Sequence, residues 1–252
     1  MRLRQIALVA HDLEPVAAQL NAVFGLRIAF RDPAVGVFGL VNAVMPVGGE
    51  FLEIVQPVTA EASAGRYLKR RGGDAGYMLI FETQDAMAHR ARLEGKGVRV
   101  IARHRTPEYS FTHFHPGDFN GVLTSIDTAG DGSEWHKRFG DWPPAGPHWR
   151  EHPAPDEIQG IAGATVQARD PGAAAAHWSE LLQARRDGST LILDGSTVSF
   201  VAPVDEDGTG IVGIRIAVRD PGAVLARASA QGLRVEDGGV RIGGVTFVPG
   251  EA

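Results

Sequence analysis

The alternation of apolar and polar positions along this chain repeats itself four times. Each copy runs from a short apolar strand through an acid into an alanine-rich helix and on to a second strand: QIALVAHDLEPVAAQLNAVFGLRI, MLIFETQDAMAHRARLEGKGVRV, GATVQARDPGAAAAHWSELLQAR and GIRIAVRDPGAVLARASAQGLRV. The acid (Asp12, Asp85, Asp170, Asp220) stands where its carboxylate can accept the open amides of the first helical turn. Pro15, Pro171 and Pro221 fall in that turn, where a missing N–H costs little. Gly25, Gly97 and Gly232 follow the helices, where a left-handed cap is wanted. Behind each helix the pattern shortens to period-two or apolar runs broken by glycine, the mark of antiparallel hairpins. These runs predict strands at 26–30, 37–44 and 50–55, then 98–103, 111–115 and 121–126, then 191–193 and 197–201, then 240–242 and 245–248. The fold expected is α+β, with four βαβββ modules forming cupped mixed sheets and helices outside.

Residues 129–158 break the pattern with Gly, Pro and Trp and read as a linker. Three tryptophans (Trp135, Trp142, Trp149) and His136, His148 and His152 lie there. Tryptophans in irregular segments bury against something, so they are expected to clamp the linker rather than touch a ligand. The chain then divides into a domain at 1–128 and a smaller one at 159–252.

Paired βαβββ modules resemble the vicinal oxygen chelate superfamily, which includes glyoxalase I, extradiol dioxygenases, bleomycin-resistance proteins and methylmalonyl-CoA epimerase. The first half carries the stronger match. FLEIVQP is similar to the family's fourth strand, SAGRYLKRRGGDAGYMLIFETQD to the lead-in to its fifth, and FHPGDFNGVLTSID to the epimerase and glyoxalase strand pair around an HP-x-D-x-x-G-V turn. The resemblance implies a divalent metal held by His, Glu or Gln from four strands. The matching positions are Gln5, Glu53, Met78 and Ser125 in the first half, and Gly163, Ser199, Gly213 and Val248 in the second. One amide, one carboxylate, one thioether and one hydroxyl suit neither a hard divalent ion nor zinc. The second-half set offers no ligating side chains to speak of, and that half reads as a structural partner.

Strand alternation puts Gln5, Ala7 and Val9 on one face, Met78, Ile80 and Glu82 on another, and Leu123, Ser125 and Asp127 on a third. A half-apolar cup with a few polar groups is the usual make-up of a small-molecule pocket. Gln5 and Glu53 either hydrogen-bond each other or water, or they serve a ligand. As an enzyme, the chain would act on a small carbonyl or enolisable metabolite by isomerase, epimerase or lyase chemistry. Glu53 would be the general base, Gln5 a donor to the developing oxyanion, and Met78, Ser125, His113, Tyr109 and Asn42 substrate contacts. The alternative is a binding or sequestering protein of the bleomycin-resistance type. A displaced metal site from Glu53, His113 and His115 stays open, so a divalent metal remains the one cofactor to test for.

Among the other histidines, His89 is expected on a solvated helix face, His177 in half-buried packing beside Trp178, and His11 at the surface. Lys69, Arg70 and Arg71 read either as a helix end favoured by the dipole or as an anchor for an acidic substrate tail. The glycine runs at 207–210 and 238–244 lack the Lys and Ser or Thr of a phosphate loop and read as turns. Composition narrows the partners further. With 30 acidic against 25 basic residues and a net charge of -5, nucleic acid and anionic membrane are poor partners. The absence of cysteine excludes disulfides, thiolate metal sites and thiol nucleophiles. No apolar run is long enough for a membrane span, so the reading is a cytoplasmic monomer or homodimer with a small-molecule ligand.

Overall fold

The computed structural model describes residues 1–251. Its elements run β1 (Arg2–Val9), α1 (Leu13–Phe24), β2 (Leu40–Val47), β3 (Glu50–Pro57), α2 (Ser63–Arg71), β4 (Ala75–Glu82), α3 (Ala86–Gly95), β5 (Val100–Arg105), β6 (Tyr109–Phe114) and β7 (Leu123–Ala129). After short 3-10 turns come β8 (Ile158–Gln167), α4 (Pro171–Leu182), β9 (Arg185–Asp187), β10 (Thr190–Ile192), β11 (Thr197–Val201), β12 (Gly210–Val218), α5 (Pro221–Ala230), β13 (Val235–Glu236), β14 (Gly239–Ile242) and β15 (Val245–Gly250). The strands form a seven-stranded sheet in the order β2-β3-β1-β4-β7-β6-β5 and an eight-stranded sheet in the order β13-β14-β15-β12-β8-β11-β10-β9. Both are mixed sheets: β4 and β7 run parallel, as do β8 and β11, while the hairpins between them are antiparallel. The class is α+β.

The helices begin where the acids predict. Asp12, Asp85, Asp170 and Asp220 accept from the backbone N–H of Glu14, Ala88, Ala173 and Ala223, and Pro171 and Pro221 open their helices. Gly25 closes α1 with φ of 68°, a left-handed cap that would strain a residue with a β-carbon. Helix α2 has no side-chain N-cap, and its last turn carries Lys69, Arg70 and Arg71, where cations are favoured by the dipole.

Two expected strands differ. At 26–30 only a single bridge forms, Phe30 with Val44, because Arg27 turns outward and Pro33 ends the run in a 3-10 turn (Pro33–Phe38). That turn also displaces the start of the strand expected at 37, which begins at Leu40.

The chain parts into two compact units, each taking a module from each half of the sequence. One holds 1–6, 77–143 and 163–211; the other holds 7–76, 144–162 and 212 onward. In the first, Trp178 is fully buried, with Phe81, Phe119 and Phe200 edge-on to it at 5.2–6.4 Å, and its indole N–H donates to Asn120 Oδ1 at 2.9 Å. His177 beside it is exposed rather than half-buried: successive helix positions diverge by about 100°, so Trp178 takes the core while the His177 ring meets the Asp118 carbonyl at 2.9 Å. In the second unit Phe24 of α1 packs on Phe247 of β15 at 5.7 Å.

Candidate functional site

The first unit concentrates its chemistry on one face of β4, β7, β6 and β5. Cross-strand register places Glu82 beside Asp127, Asp127 beside Phe111, and Phe111 beside His104. The next row runs Ile80, Ser125, His113 and Ala102, and the one after it pairs Met78 with Leu123. The period-two alternation of these four strands thus sets Glu82, Asp127, His104, Ser125 and His113 on one face, interleaved with apolar residues.

Asp127 is the centre of that face. Its Oδ1 accepts from the Ser125 hydroxyl and its Oδ2 from the Tyr109 hydroxyl. Burial pushes its carboxyl up to about 7, and the neighbouring Glu82 charge pushes the same way; the two hydroxyl donors oppose them. Ser125, with no exposed surface, also lies 3.2 Å from the Thr112 carbonyl oxygen. His113 stacks on Phe111 at 4.4 Å and 25°. Its ring keeps some surface, yet desolvation drives its pKa down to about 4, so it is a neutral imidazole at physiological pH. His104 also stacks on Phe111, at 5.7 Å.

Two buried arginines face the acids. Arg2 donates through Nε (2.9 Å) and a terminal nitrogen (2.7 Å) to Glu82 Oε2, and Arg4 Nε lies 3.3 Å from the same oxygen. Arg4 is wholly buried and also donates to the carbonyls of Arg138 and Gly140 at 2.8 and 2.7 Å. Burial raises the Glu82 pKa, although both guanidiniums pull it down. The Arg4 guanidinium lies over the Trp142 ring, 5.4 Å from its centroid. The Trp142 N–H donates to Gln5 Oε1 at 2.7 Å, and its ring stands edge-on to Tyr109 at 5.7 Å and 84°.

The second unit holds Glu53 on β3 and Asn42 on β2. Asn42 Nδ2 donates to Glu53 Oε1 at 2.7 Å, and Asn42 Oδ1 accepts from the Asp32 N–H at 2.7 Å. Both residues are buried. On the same face, Trp149 is edge-on to Phe51 at 5.0 Å.

The residues expected from sequence therefore fall as follows. Gln5, Met78, Ser125, His113 and Tyr109 lie in the first unit, and Glu53 and Asn42 pair with each other in the second. His115 sits beyond the end of β6, where its Nδ1 accepts from the Gly117 N–H at 3.0 Å and caps a turn. Among the described residues, no group of three His, Asp or Glu is placed to hold a metal ion. The sequence reading missed Asp127 as the titrating centre, although it stands two positions from Ser125 on the same strand face. It also missed Glu82, Arg2 and Arg4, and it gave Trp142 to linker packing. A cavity of about 1090 Å³ opens elsewhere on this unit, lined by Asp85, His89, Arg92, Arg105, Ser110 and Asp131 among others. Its main polar groups are engaged: Asp85 caps α3, and Arg92 donates to the carbonyls of Glu180 and Leu181. His89 there is half-buried rather than solvated, because it lies under Arg92.

The family's four ligand positions do not suit a divalent ion. Gln5 Oε1 is bonded by an indole N–H, Glu53 Oε1 by an amide, the Ser125 hydroxyl donates to Asp127, and Met78 offers a thioether. Hard cations want several anionic or carbonyl oxygens converging.

A family model described as a glyoxalase-like domain matches residues 6–182. The chain therefore belongs to the glyoxalase-like domain family, within the vicinal oxygen chelate superfamily. The ethylmalonyl-CoA/methylmalonyl-CoA epimerase of Cereibacter sphaeroides is 27% identical over 135 residues, covering 50% of this chain and 96% of that protein. A triple mutant of 4-hydroxymandelate synthase from Streptomyces coelicolor superposes with a TM-score of 0.67 over 92% of this chain and 75% of its own, at 14% identity. That likeness shows the tandem fold. A methylmalonyl-CoA epimerase variant from Streptomyces coelicolor, in complex with 2-nitronate-propionyl-CoA, is 25% identical with a TM-score of 0.47, covering 51% of this chain and 97% of that one.

Proposed function

We propose that the chain is an enzyme that moves a proton at the carbon beside a carbonyl, as an epimerase or isomerase of a small enolisable substrate. The observation that carries this is the hydrogen-bonded chain from Ser125 through Asp127 to Tyr109, with a carboxyl poised at about 7. When Asp127 is protonated it can donate to the phenol oxygen, and the Tyr109 O–H is then available to a substrate carbonyl oxygen. As the substrate's C–H bond breaks, a base or water takes the proton, the bonding pair moves onto that oxygen, and the Tyr109 hydrogen bond stabilises the charge. Return of a proton to the opposite face of the carbon gives the epimer. Asp127 is thus a positioning and proton-holding residue behind Tyr109. Glu53, oriented by Asn42 in the other unit, keeps the role of base assigned from sequence as a separate proposal, tested on its own by Glu53→Gln.

The relative's name supports a branched acyl-CoA thioester as the first substrate to try. The test is solvent-deuterium exchange at C2 of methylmalonyl-CoA, followed by mass spectrometry. Wild type should exchange, with a rate that falls as pH rises through about 7. Tyr109→Phe and Asp127→Asn should each lose about 10²-fold or more, and Glu53→Gln should lose exchange if it is the base. Exchange unchanged in both Tyr109→Phe and Asp127→Asn removes the proposed acid chain. We further propose that 1–128 and 159–252 act as tandem domains, only the first of which carries chemistry.

A further inference from the structure

We infer that Trp142 and Arg4 take the place of the divalent ion at the Gln5 position of this fold. The inference concerns the same face as the proposed acid chain, but it stands on the donor chemistry and not on the identity of the substrate.

The amide oxygen is the atom through which a glutamine holds a hard cation. Here Gln5 Oε1 accepts the Trp142 N–H at 2.7 Å, the centre of the ordinary hydrogen-bond range. An indole N–H is a donor only. It supplies the partial positive charge that this oxygen would otherwise seek from an ion. Trp142 is buried, so the contact is made without competition from water. Behind it lies a fixed full charge. The Arg4 guanidinium is fully buried, stays protonated at any working pH, and is fastened by Glu82 and by the carbonyls of Arg138 and Gly140. Its place over the Trp142 ring, 5.4 Å from the centroid, holds the indole that bonds Gln5 against a guanidinium.

The Trp142 ring also packs against Tyr109 in a T-shaped contact. One linker residue therefore bonds Gln5 Oε1, seats beneath the buried guanidinium and braces the phenol that bonds Asp127. Trp142 is accordingly a positioning residue of the site. Clamping the linker is a consequence of that role.

The test uses the full chain and cobalt(II) alone, with no substrate, so its outcome is separate from success or failure in the exchange assay. Binding is read by calorimetry and by the visible absorption of the ion in wild type and in Gln5→Ala. The expected result is either no saturable binding or binding that Gln5→Ala leaves unchanged, as for an ion held elsewhere. Cobalt binding that Gln5→Ala weakens by about tenfold or more, the loss expected when a ligand or its support is removed, overturns the inference. If Gln5→Ala does not fold, Met78→Leu at the neighbouring family position answers the same question. A second readout follows the positioning role. Trp142→Phe keeps an aromatic ring but removes the N–H and so opens Gln5 Oε1; it should bind cobalt more tightly than wild type, and the gain should vanish in the Trp142→Phe, Gln5→Ala double variant. Cobalt binding that Trp142→Phe leaves unchanged reduces Trp142 to packing and overturns its assigned role.

Discussion

The two sheets share one topology and differ in what they bury. Among the described residues, the buried polar side chains beyond residue 128 are Gln167 and Ser196; Arg2, Arg4, Gln5, Glu53, Glu82, Ser125 and Asp127 all belong to the seven-stranded sheet. Gln167 holds a loop, donating to Asp205 and the Thr209 carbonyl and accepting from the Val204 N–H, so its bonds are structural. At the family's ligand positions the contrast is sharper. Ser125 has no exposed surface and donates to a titrating acid, whereas its counterpart Val248 is 36% exposed beside exposed Arg215. Ser199 meets only the hydroxyl of Thr190, and Gly163 and Gly213 offer no side chain. The fold needs the cup in both halves. Buried charge is costly unless paired and hydrogen-bonded, and among the described residues charge is buried in the first half alone.

The largest effect expected from breaking this contrast is on rate. Asp127→Asn keeps the shape of the side chain but removes the titrating proton, and should lower proton exchange by about 10²–10⁴-fold. Ser199→Ala in the other sheet should change it by less than about twofold and stability by no more than about 0.5 kcal/mol.

How far such contrasts could be read beforehand depends on distance along the chain. Caps were legible because Asp12, Asp85, Asp170 and Asp220 act on amides two or three residues away. Helix α2, with no capping side chain, left only its basic last turn as a sign. Strand alternation found the faces of Met78, Ser125 and His113. It could not show that Arg2 meets Glu82 80 residues on, or that Trp142 meets Gln5 137 residues back. Charged residues are expected outside unless paired, and pairing at that range is invisible in a single sequence.

Arg4→Met should come next in size. It strips Glu82 of one of its two guanidiniums and frees two carbonyls, a loss of about 3 kcal/mol on urea unfolding. The equivalent insult in the second half, Gln167→Leu, leaves hydrogen-bonding groups unmet but no charge, and should cost about 1–3 kcal/mol.

The pH dependence of stability sharpens the picture, because the first sheet holds two groups shifted in opposite senses. Asp127 titrates at about 7 when folded, above its unfolded value, so its contribution is full below the unfolded pKa and fades as pH rises through 7, by up to ~4 kcal/mol. His113 titrates at about 4 when folded, below its unfolded value, so its contribution is full above about pH 6.5 and fades as pH falls through 4, by up to ~3 kcal/mol. In wild type the two slopes largely cancel between those limits. Urea midpoints should rise with pH in Asp127→Asn and fall with pH in His113→Phe, each variant unmasking the other group. A wild-type slope that neither variant alters would remove both assignments.

The central claim is that Asp127 carries a proton near neutrality within a chain of hydroxyls. Carbon-13 NMR titration of the aspartate carboxyls, with the Asp127 signal assigned by its loss in Asp127→Asn, measures this directly. The account predicts a midpoint at about 7. A midpoint in the ordinary aspartate range, near 4, would contradict it.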